Sequence, residues 1–172
     1  MSKSVSFQKP MFIVSALTIL AVAAVAWFSL HPSAALAGRE NGGTVSARLG
    51  GVEGIRTFLD KKAVPAILAD PELAPFFAVL TETPGDIEDC LARLLDHDLG
   101  GLSAKAGTAT ETGHICRSSM SNVHRGLAIT DRAFDRFVEV VGREALAAGV
   151  APADVQEIAH KLESYRGSIV RQ

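Results

Sequence analysis

Three residue types that form polar contacts in binding sites are nearly missing from this 172-residue chain. It has three glutamines (Gln8, Gln156, Gln172), one tyrosine (Tyr165) and one tryptophan. It holds only two cysteines, Cys90 and Cys116, and neither stands in a CxxC or CxxCH spacing, so a dithiol redox motif and thioether attachment of a cofactor lack support. Charge of one sign is also missing: the net charge of -2 gives no broad footprint for nucleic acid. No stretch alternates apolar and polar residues for a useful length, which excludes a sheet-based fold.

What is present begins with an N-terminal segment. Lys3 and Lys9 precede an uncharged run over residues 11–30, followed by HPSAALAG. Twenty apolar residues are about the ~20 that span a bilayer. Pro32 breaks a helix there, and Ala35 and Ala37 fit a signal-peptidase site with cleavage before Gly38. Residues 1–37 therefore read as a signal peptide or a retained N-terminal membrane anchor. Either delivers the rest to the periplasmic or another extracytoplasmic side. Removing them leaves 15 basic and 19 acidic residues, a domain near -4. In an oxidising compartment Cys90 and Cys116 are candidates for a disulfide; two buried free thiols are the alternative.

Residues 38–45 (GRENGGTV) read as a polar linker and residues 46–172 as one domain of about six helices. Val52, Ile55, Phe58 and Leu59 recur at helical spacing after Gly50-Gly51. Pro65 starts a new helix or kinks a running one. Leu73, Phe76 and Phe77 form an apolar corner. Ile87, Cys90, Leu91, Leu94 and Leu95 give a full apolar face, closed by Gly100-Gly101. Residues 102–116 are small, polar and aperiodic, a longer loop than compact domains carry. Ser118 or Ser119 caps a helix ending near Gly126; Thr130-Asp131 caps the next, with Phe134, Phe137, Val138 and Val141 inward; a last helix runs from residues 151–154 through Tyr165. His124 sits on the apolar stripe of Met120, Val123 and Leu127, where a histidine is surface decoration, a satisfied core residue or a metal ligand.

The spacing Met120-x-x-Val123-His124-x-Gly126-Leu127-x-Ile129-Thr130-x-x-x-Phe134 resembles the proximal-histidine segment of group I truncated haemoglobins. LGGVEGIRTFLD at 49–60 is similar to that family's opening helix, LADPELAPFF at 68–77 to its second helix and haem-contacting corner, and LGG at 99–101 to its second glycine pair. The resemblance covers residues 46–172. It implies an all-α, 2-on-2 helical sandwich around haem b (iron protoporphyrin IX), with His124 as the iron's axial ligand. It also implies contacts to the macrocycle from Phe77, Met120, Val123, Ile129, Phe134 and Phe137, and from Ile87 and Leu91 on the distal helix.

The chain departs from the family on the distal side. Where relatives place a Tyr on the second helix and a Gln on the distal helix, this sequence has Ala63 or Val64, and Ile87 and Leu91. Cys90 falls where some relatives carry a second axial histidine, and reads as a thiolate ligand, a disulfide partner or packing. His97 falls at a helix end, and His114 in the long loop reads as solvated or as approaching a haem edge. Arg117 and Arg125 are the nearest cations for propionates, or face solvent. The resemblance thus implies reversible binding of a diatomic gas (O2, NO or CO), for transfer or sensing. Nitric-oxide dioxygenation or peroxidase chemistry is the enzymatic alternative, but no distal acid-base group is visible for it. Electron transfer through six-coordinate iron is a further one, and it needs Cys90 or His114 as second ligand. The membrane enters only through the N-terminal segment, and the sequence names no reductase or other redox partner.

Overall fold

The computed structural model describes residues 43–171 apart from 83–84, 104–106 and 118. The apolar run at 11–30, the cleavage motif and residues 38–42 of the linker lie outside the described residues. No helix among the described residues is long and apolar enough to cross a membrane.

All regular structure in this region is helical. It comprises α1 (Val45–Arg48), α2 (Gly51–Phe58), a π-helical turn (Leu59–Ala63), α3 (Val64–Ala69), a 3-10 turn (Ala74–Phe76), α4 (Val79–Glu82), α5 (Asp86–Asp98), α6 (Met120–His124), α7 (Asp131–Ala147), α8 (Pro152–Glu163) and α9 (Arg166–Ile169). The expected six helices thus become nine α-helical segments among the described residues, because several are single turns that periodicity does not resolve. The expected last helix breaks at Ser164, so Tyr165 lies between α8 and α9 rather than inside one helix.

Pro65 explains the first irregularity. It offers no N–H to the helix, and its ring crowds the carbonyl one turn back. The backbone answers by widening: Val64 N–H bonds to Leu59 O, a π spacing, and the chain then re-enters α-helix with Pro65 in its first turn. The two readings of Pro65 are therefore both realised, a loosened turn followed by a fresh start.

Two helix pairs make the core. α2 packs on α5, α7 packs on α8, and the π turn with α3 bridges onto α7. Ile55, Leu59, Ala63, Ile67, Leu73, Ala92, Leu95, Leu99, Val140, Val141, Ile158 and Leu162 are buried as one cluster. Ile55, Leu59, Leu73, Leu95, Val141, Ile158 and Leu162 are expected face positions; Ala92, Leu99 and Val140 are additions, and Val52, Phe58, Leu91, Phe137 and Val138 are only partly buried. A second, smaller cluster joins Ile129, Ala133 and Phe134, with Phe76, Ile169 and Val170 against it.

Two glycines, Gly54 and Gly101, permit close approaches. A Cβ on Gly54, one turn into α2, would lie 1.9 Å from Leu49 O, so only glycine lets α1 and α2 meet at this angle. Gly101 closes α5 through its own N–H to Asp96 O, at 2.7 Å, and a Cβ there would sit 2.2 Å from the Asp96 side chain. Asp96 is buried, and its carboxylate accepts from Ser46 Oγ of α1 and from Ser103 N–H at 2.9 Å. The backbone adds Ser46 N–H to Leu99 O at 3.1 Å. One carboxylate thereby joins α1, the end of α5 and the following turn.

Burial pushes the Asp96 carboxyl up, but the hydrogen bonds from Ser46 and Ser103 outweigh it and hold the group below its ordinary range. A depressed folded-state value means the contribution is complete above the unfolded value of ~3.9 and is lost as pH falls through the folded one. Asp96→Asn should therefore be less stable than wild type at neutral pH, with the gap closing below about pH 4 in denaturant titrations. Gly101→Ala should cost roughly 2 kcal/mol or more, because it forces this buried carboxylate off its partners.

Candidate functional site

α6 carries His124, and its sequence accounts for its form. Ser119 is its N-cap: its backbone is extended and Oγ accepts from Asn122 N–H at 3.3 Å. Gly126 (φ +83) and Ala128 (φ +52) turn the chain out again, so α6 stops at His124 rather than near Gly126. Five residues are too few for a helix to hold itself, and α6 contains no buried residue.

The His124 ring is half-buried, and Nδ1 lies 2.8 Å from Met120 O. A carbonyl oxygen only accepts, so Nδ1 donates in this bond. Nothing among the described residues hydrogen-bonds Nε2. The Met120 carbonyl therefore orients the ring and leaves Nε2 without a hydrogen-bond partner among the described residues.

The predicted contact residues divide into two groups. Phe77, Leu91 and Phe137 are partly buried and lie against the main core; Phe77 and Phe137 stack with ring centroids 5.6 Å apart. Ile129 and Phe134 are buried in the second cluster, and Phe134 reaches Phe137 at 6.3 Å. The stack and this tilted pair connect the two clusters into one aromatic seam from the Phe76-Phe77 corner into α7. Ile87 and Met120 are half-buried, while Val123 and Leu127 are each 40% exposed. Apolar side chains incompletely covered by the chain itself mark a surface suited to an apolar ligand.

On the distal positions, Ala63 is fully buried and Val64 half-buried. Tyr165 does not substitute for the family's tyrosine: its hydroxyl donates to Asp98 near the end of α5. His97 is exposed with Nδ1 beside Ser103 O, and His114, Arg117 and Arg125 are exposed, Arg125 donating to Asn122.

Three features were not legible beforehand. Cys90 and Cys116 form a disulfide with Cα atoms 5.3 Å apart, which settles the open choice and removes Cys90 as a thiolate ligand. Residues 107–116 are not an aperiodic loop. Ala109 and Ile115 form an antiparallel bridge, flanked by Thr110 N–H to His114 O at 2.8 Å and Cys116 N–H to Thr108 O at 3.0 Å. This hairpin docks on the first turn of α5, where Thr112 and Thr110 donate to Asp86. Those two hydroxyls, with Thr112 the stronger, hold the Asp86 carboxyl below its ordinary range against the opposing effect of burial.

Third, Arg166 lies 4.6 Å over the Phe134 ring and donates to Asp135, Asp131 and Glu163. Its cation covers the outer face of the aromatic seam. A groove of about 480 Å³ beside the Asp70 corner contains none of the predicted contact residues; Arg132 pairs there with Glu72, and Arg136 with Asp70 and Glu139. Phe134→Ala should cost about 3–5 kcal/mol in denaturant unfolding. A loss under about 1 kcal/mol would mean that the seam is not packed.

Neither a protein-family model nor a curated protein matches the sequence. Solved structures do match. The truncated hemoglobin of Tetrahymena pyriformis, in its Fe(III) form, is 22% identical with a TM-score of 0.60; the alignment covers 76% of this chain and 100% of that one. A glutamine-to-glutamate mutant of that protein gives 23% and 0.60, and a tyrosine-to-phenylalanine mutant 21% and 0.59, with the same coverage. The described part of this chain thus has the truncated-globin fold.

Proposed function

We propose that this protein is a haem-binding globin that takes up a diatomic gas reversibly, with His124 as the iron ligand. The observation that carries this reading is the His124 Nδ1–H bond to Met120 O, which leaves Nε2 unengaged on a half-buried ring. The surrounding residues fit the group. The donor is an imidazole with Nε2 unengaged, Met120 and Val123 beside it on α6 are apolar and incompletely covered, as are Phe77, Phe137, Ile87 and Leu91, and without CxxCH the group would be held non-covalently as haem b. Haem would supply an iron that His124 could ligate and that could take up O2, NO or CO.

The protein's own residues do three things. The Met120 carbonyl fixes ring rotation and raises the basicity of Nε2. Phe77, Phe137 and Leu91 keep water from the site. Ala63, Val64, Ile87 and Leu91 offer a gas no hydrogen-bond donor.

That last property favours gas binding over an oxidising enzyme, which benefits from a distal acid-base group. It also disfavours electron transfer through six-coordinate iron: Cys90 is bonded to Cys116, and His114 is exposed. The disulfide supports an oxidising compartment, in keeping with a signal peptide or membrane anchor at residues 1–37.

Haem titration of the full chain should give a Soret band, and the ferrous spectrum should be five-coordinate. His124→Ala should abolish or grossly weaken binding; unchanged spectrum and affinity would refute the assignment. Oxygen should leave faster than from a Tyr/Gln pocket by roughly one to two powers of ten, the effect of a missing hydrogen bond of ~1.5–3 kcal/mol. Leu91→Gln should recover part of that difference in flash photolysis.

A further inference from the structure

The feature that this function leaves unused is the Cys90–Cys116 bridge. Cys90 lies on α5 between Ile87 and Leu91, the two predicted distal residues. Cys116 is buried at the end of the 107–116 hairpin, three residues before Ser119, the N-cap of α6, and eight before His124. α6 has little else to fix it: none of its residues is buried, and its main helix neighbour is the four-residue α9. Downstream, the chain is fastened at Ile129, which is buried and accepts from Arg171 N–H at 2.9 Å. Upstream, the fastening is the sulfur–sulfur bond, supplemented by the threonine contacts to Asp86.

We propose that the Cys90–Cys116 bridge is a positioning device for His124: the helix carrying the imidazole is held against α5 when the sulfurs are bonded and is released when they are reduced, so that thiol oxidation governs haem retention. In forming the bridge the two thiols lose two protons and two electrons to an external disulfide, which leaves as a dithiol. A chain that crosses into an oxidising compartment would then become competent to keep its cofactor only there. This inference rests on the haem reading for its consequence and on the tether alone for its mechanism.

The experiment separates the two. The full chain, in mild detergent, is compared oxidised, reduced with dithiothreitol, and as Cys90→Ser and Cys116→Ser. Amide hydrogen exchange is read without haem, and haem transfer to apomyoglobin with it. The three bridge-free forms should exchange at residues 119–127 about tenfold faster or more, with α7 and α8 changed less than about twofold, and should lose haem about tenfold faster. Unchanged exchange at 119–127, or equal acceleration in every helix, would overturn the proposal, the second because it marks a merely global cross-link. Haem loss unaffected by reduction would overturn the link to retention. If the oxidised chain binds no haem, the functional reading falls together with that link, and the exchange data still decide whether the bridge positions α6.

Discussion

A single hydrogen bond, from His124 Nδ1 to the carbonyl of Met120, decides what the site can be. Imidazole is amphoteric, and until one nitrogen is assigned its proton the other is neither reliably a donor nor a ligand. A backbone carbonyl four residues back makes that assignment at no cost in side chains. It also works only while α6 stays helical, because the carbonyl and the ring face each other through one helical turn. The chemistry of Nε2 is therefore coupled to the integrity of five residues that are too few to be stable alone.

The rest of the fold supplies what those residues lack. α5 is held at both ends by carboxylates that belong to its own sequence. Near its C-terminal end Asp96 accepts from α1 and the following turn; at its start Asp86 accepts from the hairpin threonines. Cys90, one turn after Asp86, adds the covalent link. α5 is thus the fixed member, and the segment leading to α6 is hung from it by the disulfide. On the other side, Phe134 is gripped by Ile129, Ala133 and the Arg166 cation, so the chain leaving α6 is anchored too.

Much of this was legible from residue types alone, and the limits have physical causes. Periodicity located α2, α5, α7 and α8 because each buries one face; Ile55, Leu95, Val141 and Ile158 lie where the spacing places them. It missed α1, α4 and the break at Ser164, since one turn of helix has no period to detect. The capping chemistry of Ser119 and Thr130 was readable because a hydroxyl that meets a free N–H is a local event. The hairpin at 107–116 was not readable, because its polarity resembles that of any loop and its docking uses Asp86, more than twenty residues earlier. The π turn needed Pro65 to be weighed against a helix already running, which composition cannot do. The disulfide choice stayed open for the same reason: pairing depends on a distance across the fold.

The distal side shows how an absence in composition becomes a property of a site. With Tyr165 committed to Asp98 and Gln156 exposed on α8, neither scarce residue type stands in at Ala63, Val64, Ile87 or Leu91. Ala63 is wholly buried, so placing a bulky donor there would require the π turn and α5 to separate. The packing of the π turn on α5 is thereby built around a small residue, and the apolar character of this side is part of the core. A polar group could enter from α5 alone, where Ile87 and Leu91 are only half-buried and a longer side chain has room to turn. The same helix that carries the disulfide would then also carry any change in the polarity of this side.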